Sequence, residues 1–198
     1  MSQFTPKQFK IPKLIGISPK NIEEHLKLYS GYVTNTNLVL EKIKEYKKDA
    51  EKHSYVLGEL TRRFSFEYNG MRNHEIYFST FEGGPSQMSD SSPLKKKIVE
   101  TWGSFEIWLA EFKAIGLTRG IGWAVLWYDP KHNGLLNSWV DEQHLGQLNG
   151  CSMILAMDMW EHSYVADYQS SGKKKYVEDF FANMNWSVIE DYYKKSIL

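Results

Sequence analysis

Near the middle of the chain a dense run of helix-terminating residues separates two stretches of different texture. It extends from Gly83-Gly84-Pro85-Ser86 to Ser91-Ser92-Pro93. Before it, Ser18-Pro19 offers a hydroxyl for an N-cap and a proline for the first helical position, where its missing N–H costs nothing. Ile22, Leu26, Tyr29, Val33, Leu40 and Ile43 then recur near helical spacing, which predicts one long helix or two collinear ones to about residue 50. A second helical stretch is predicted over 51–81, with Asn69-Gly70 as a place where it could bend. Beyond the break, Ser92-Pro93 repeats the start signal and predicts a helix over 93–114.

After Gly116 the pattern changes again. Gly122–Tyr128 is rich in aromatic and β-forming residues and ends at the turn pair Asp129-Pro130. Leu135–Val140 reads as its partner strand after His132-Asn133-Gly134, and Cys151–Met157 as a buried strand. Helices are predicted again over 173–183 and 186–195. The fold class is therefore α+β: an N-terminal antiparallel helical hairpin domain over 1–88, then an α+β domain over 89–198. The second domain carries a small antiparallel sheet of about three strands.

Composition narrows the function. Basic and acidic residues balance at 24 each, so no bulk attraction to nucleic acid is expected. The single cysteine, Cys151, excludes an internal disulfide and thiolate-rich metal sites. The opening residues lack the continuous apolar core of a secretory signal, and no apolar run approaches the ~18 residues that span a bilayer. The expected location is cytoplasmic, with no membrane partner.

Chemistry concentrates on the histidines. His53 beside Glu51 and Lys52, and His132 in a turn, read as solvated. His162 follows Asp158 by four residues, just past the apolar run Met153–Met157. A carboxylate at the end of a buried strand is costly unless it pairs or binds a cation. By spacing alone, a plain Asp–His hydrogen bond is the better reading of that pair. His74 lies among Phe64, Phe66, Tyr68, Ile76, Tyr77 and Phe78 and could be a satisfied core histidine. His25 precedes Tyr32 by seven residues, almost two helical turns, so the two side chains share a face.

Taken together these residues resemble the iron/manganese superoxide dismutase family over about Ile17 to Trp186. The most specific element is Asp158-Met-Trp-Glu-His162-Ser-Tyr164, similar to the family signature D-x-W-E-H-x-Y. Asn73-His74, Trp102-Gly-Ser-Phe105, Gly120-Ile-Gly-Trp123 and Asn183-Met-Asn-Trp186 fall in the family's order. The resemblance implies conversion of superoxide to O₂ and hydrogen peroxide by alternating metal(III)/metal(II) redox. It implies His25, His74, Asp158 and His162 as ligands of one ion per subunit, bound between the two domains. Manganese is the preferred cofactor and iron the alternative, since mixed nitrogen and oxygen donors suit both.

The same resemblance makes Tyr32 a gateway phenol, Trp123 and Trp160 walls of the pocket, and Glu161 a contact to a ligand histidine of a second subunit. A homodimer follows, with pairing of dimers into a tetramer left open. A glutamine amide is expected beside the metal's solvent ligand. Gly70 stands at one of its two family positions, which moves the role to Gln143 in the loop and favours manganese; His144 takes the place after a one-residue shift.

The chain also departs from the family. His25 and Tyr32 are one residue closer than usual, so an unbulged α-helix is expected over 25–32. Leu28 and Val165 replace a histidine and a tyrosine that commonly bond across the dimer, and losing both leaves no buried orphan. A less polar gateway with altered proton delivery is expected. Phe78 stands where tryptophan is usual. Two other readings stand beside it: a non-catalytic relative serving as a metal-binding or structural protein, which need not retain all four ligands, and a non-haem iron oxygenase. The oxygenase would leave the fourth ligand, the glutamine and the tryptophans unexplained.

Overall fold

Ser18 starts the first helix as its sequence predicts: its backbone is extended and its side chain accepts from the Asn21 N–H. The computed structural model describes residues 3–198. Helix α1 spans Pro19–Tyr46 and buries Ile22, His25, Tyr29, Val33, Thr36 and Val39, a stripe at three- and four-residue spacing. It is α-helical throughout 25–32, as the short His25–Tyr32 spacing predicts. A 3-10 turn over Lys47–Asp49 leads toward helix α2, Ser54–Ser79, which packs along α1. The buried residues of α2 lie between Phe66 and Ser79, so the tip of the hairpin projects from the body of the molecule.

Asn69-Gly70 does not interrupt α2. Gly70 has another use: a Cβ there would lie 2.5 Å from Tyr32 Cδ1. Only glycine lets the Tyr32 ring lie against this helix.

The predicted helix over 93–114 is two helices, α3 (Pro93–Trp102) and α4 (Phe105–Gly116). Gly103 sits at φ +87 and donates its N–H to the Val99 carbonyl, ending α3 in a conformation that favours glycine. Ser104 restarts the chain, accepting from the Ile107 N–H. Apolar periodicity continues across the break, which is why it reads as one helix.

Three antiparallel strands follow: β1 (Gly122–Asp129), β2 (Gly134–Asp141) and β3 (Ser152–Asp158), in the order β2-β1-β3. Ile154 to Met157 are fully buried, which accounts for the unbroken apolar run of β3. On one face, Met157 reaches Gly116 of α4; on the other, β3 meets α2. Trp123 pairs with Val140 on one side and Asp158 on the other, so Trp123 and Asp158 project from the same face. The short helix α5 (Val165–Tyr168) then precedes α6 (Lys173–Asn183) and α7 (Trp186–Ser196).

The extended entry segment is held by two asparagines acting as strand-like brackets. Asn37 accepts from the Phe4 N–H and donates to the Phe4 carbonyl, both at 2.9 Å. Asn183 does the same for Ile15, at 2.8 and 2.9 Å, closing the first residues onto α6. An unpaired buried amide group costs ~1–3 kcal/mol. Asn183→Ala is therefore expected to lower the unfolding free energy by about 2 kcal/mol. Urea denaturation checks this, and an unchanged midpoint would contradict it.

Candidate metal centre

Four side chains that are far apart in sequence meet at the junction of the hairpin and the sheet. His25 comes from the second turn of α1, His74 from α2, Asp158 from the end of β3, and His162 from the 3-10 turn Glu161–Ser163. One ligand atom from each lies within 4.8 Å of all the others. Asp158 Oδ2 is 3.1 Å from His25 Nε2, 3.2 Å from His162 Nε2 and 3.6 Å from His74 Nε2. Asp158 Oδ1 accepts from the Trp160 N–H, which fixes the carboxylate plane. The simple Asp–His pair is thus part of a larger convergence.

The donor set fits a cation for a specific reason. His74 Nδ1 donates to the Gly70 carbonyl at 2.6 Å, which leaves the lone pair on Nε2. That Nε2 is buried and has no hydrogen-bond partner, and it faces the Asp158 carboxylate. Two electron-rich atoms facing each other in a dry pocket repel, and a cation between them turns the repulsion into coordination. Burial, then the neighbouring His25, holds His74 down to about 3, and burial also lowers His25. Burial alone would raise Asp158. Charge and a hydrogen bond from His162, then His25, outweigh burial and hold the carboxyl below the usual carboxylate range.

Aromatic rings enclose this cluster. His25 packs against Tyr77 at 4.9 Å and Phe78 at 4.8 Å, centroid to centroid. Trp123 and His74 meet in a T-shaped pair at 5.0 Å, and Trp160 stacks on His162 at 5.8 Å. Phe78 fills its position without a polar group. The Tyr176 hydroxyl, 3.2 Å from that of Tyr77, donates to the Asp158 carbonyl at 2.9 Å, a contact that no motif announces.

A second row runs outward. Trp123 Nε1 donates to Gln143 Oε1, and Gln143 Nε2 donates to the Tyr32 hydroxyl, both at 3.0 Å. Since indole is only a donor, the Gln143 amide has one orientation. Glu142, at φ +50, turns the chain so that Gln143 points inward and is fully buried. His144 faces Phe66 instead, 5.6 Å between centroids. Burial, then the Asp158 carboxylate, pushes the Tyr32 phenol up. A surface depression lined by Lys27, Leu28, Tyr32, Arg63, Phe66 and Trp160 leads to this row. Leu28 is exposed on its wall, while Val165 is partly buried at the start of α5. Glu161 is exposed, and His132 pairs with Asp129 at the surface.

Residues 90–192 match the family described as iron/manganese superoxide dismutases, C-terminal domain. The chain is 36% identical to a superoxide dismutase [Fe] of Cupriavidus metallidurans, over 88% of this chain and 87% of that protein. It is 32% identical to a superoxide dismutase [Fe] of Aquifex aeolicus, covering 97% and 92%. It is 33% identical to a mitochondrial superoxide dismutase [Mn] of Glossina morsitans morsitans, covering 92% and 84%. The chain belongs to the iron/manganese superoxide dismutase family.

The depressed His74 has a consequence for the metal-free protein. Between its ordinary value of 6.5 and about 3, the unfolded chain binds a proton that the folded chain does not. Stability is therefore complete above that window and is lost as the pH falls through it. A loss of about 2 kcal/mol is expected between about pH 6.5 and pH 5. Thermal melts of metal-free protein across that range check the sign; an unchanged melting temperature would contradict it.

Proposed function

We propose that this chain is a superoxide dismutase holding one manganese ion, with iron as the alternative, between a helical hairpin domain (1–88) and an α+β domain (89–198). The carrying observation is the convergence of three imidazole nitrogens on one buried carboxylate oxygen, with the His74 lone pair left free. His25, His74, Asp158 and His162 would hold the ion. When bound, it supplies one-electron redox chemistry, cycling between trivalent and divalent states as one superoxide is oxidised to O₂ and a second is reduced to peroxide.

The remaining tasks fall to the protein. Trp123, Trp160 and Phe78 exclude bulk water, which strengthens the field of Asp158 on any charge in the pocket. The Tyr32 hydroxyl carries a proton at the inner end of the surface depression, held there by its raised pKa. Gln143 orients that hydroxyl through its amide, itself oriented by Trp123. Reduction of superoxide to hydrogen peroxide consumes protons, and Tyr32 is the group we assign to relay them. Substrate approaches past Lys27, paired with Glu23 and Glu24, and Arg63, paired with Glu67.

Manganese is preferred because the amide comes from Gln143 of the loop and Gly70 occupies the helix position. Relatives named for iron and for manganese are both similar, and the four ligands suit either metal. A homodimer is part of the proposal: Glu161 is exposed beside the partly exposed His162, where its carboxylate would accept from the N–H of a partner's imidazole. A cytoplasmic location completes it. No helix among the described residues is long and apolar enough to cross a membrane.

Two experiments test this reading. Metal-free protein is loaded separately with manganese and iron, and superoxide decay is followed. The manganese form is expected to be the more active, and loaded protein that leaves superoxide decay unchanged would overturn the assignment. Glu161→Ala is expected to shift sedimentation from dimer toward monomer, and a wild-type protein that sediments as a monomer would remove the dimer.

A further inference from the structure

The Gln143 side chain is oriented by Trp123 and Tyr32, but its backbone is held by a separate device. Asn73 Nδ2 donates to the Gln143 carbonyl at 3.1 Å. Gln147 Nε2 donates to the same carbonyl at 3.2 Å and to Asn73 Oδ1 at 3.2 Å. Three amides thus close a ring: the carbonyl of Gln143 receives two donors, one for each lone pair, and both N–H groups of Gln147 are used. Asn73 immediately precedes His74 on α2, so the ring ties the loop after β2 to the helix that carries a candidate ligand. The loop needs such a tie. Glu142 is at φ +50 and Gly146 at φ +94, and Leu145 and Gly146 are exposed. The loop's own pairing is the short Asp141–Leu145 bridge.

We infer that Gln147 is a positioning residue: through Asn73 and the Gln143 carbonyl it fixes how deeply the Gln143 amide enters the pocket, and so the Trp123–Gln143–Tyr32 chain. Neither of these side-chain hydrogen bonds goes to a candidate ligand or to Tyr32. The inference rests on the reading of Gln143 given under the proposed function, and only its catalytic meaning depends on that reading. Gln147 is half-buried, so replacing it leaves no cavity of core size and is expected to be tolerated by the fold.

The test uses full-length protein loaded with zinc, a diamagnetic ion that accepts nitrogen and oxygen donors. Hydrogen exchange of the indole N–H groups is followed by NMR in wild type and Gln147→Leu. Trp123, which bonds to Gln143, is expected to exchange at least about tenfold faster in the variant. Trp108 and Trp127, bonded to Asn137 and Ser138, are expected to be unchanged and so exclude general loosening. The manganese-loaded variant is expected to shift the pH profile of superoxide decay, which a purely structural residue would leave in place. If Gln147→Leu does not fold, Gln147→Ala is read in the same way. Unchanged Trp123 exchange, or equal acceleration at all three indoles, overturns the clamp. Faster Trp123 exchange in a protein with no dismutase activity would keep the clamp and overturn the proposed function.

Discussion

Everything near the centre depends on one carboxylate oxygen, Asp158 Oδ2, facing three imidazole nitrogens where almost no water reaches. A carboxylate in that place is expensive to bury, and its partners come from three different elements. His25 and His74 ride on the hairpin, whereas Asp158 and His162 belong to the end of β3 and the turn beyond it. The packing of hairpin on sheet is therefore also the assembly of the site. Removing the imidazoles would leave a buried charge without support, and removing the carboxylate would leave three imidazoles facing one another.

The walls of the pocket serve the same electrostatics. Phe78, Tyr77, Trp123 and Trp160 offer rings to the imidazoles, lower the local dielectric and keep each imidazole in one rotamer. Polarity returns in a defined direction, along Trp123, Gln143 and Tyr32, toward the depression where Lys27 and Arg63 stand. The exposed Leu28 makes one side of that depression apolar. Of the polar groups there, Tyr32 alone reaches back to the Gln143 amide.

How far the sequence revealed this differs from residue to residue. Ser18-Pro19 and Ser92-Pro93 announce helix starts because capping is local chemistry between neighbours. The apolar run ending in Asp158 announces a covered strand with a charge at its end, since burial on both faces removes alternation. The break at Gly103 was hidden because apolar spacing continues through it, although the Gly-Ser pair carries the signal. The candidate ligands are readable only as a set: by spacing, Asp158 and His162 are an ordinary hydrogen-bonded pair. Whether Gln143 or His144 turns inward depends on the backbone at Glu142, which a residue count does not encode. The amides of Asn73, Gln147 and Asn183 could not be found in advance. Asparagine and glutamine are common at surfaces, and their partners lie as far as 168 residues away.

The choice of metal is tied to the same packing. The four candidate ligands suit iron and manganese alike, so any difference must come from the hydrogen bonds and burial around them. A side chain at position 70 is excluded by the Tyr32 ring, which lies where its Cβ would be. With the helix position closed, an amide can approach only from the loop after β2, as Gln143 does. An amide delivered by a helix inherits the helix's rigidity, whereas one delivered by a loop must be made rigid by other means. Here those means are the indole of Trp123 on the side chain and the Asn73–Gln147 ring on the backbone. Closing the helix position with Tyr32 and stiffening the loop are then two halves of one solution: the first makes the amide's approach single, and the second makes its distance fixed.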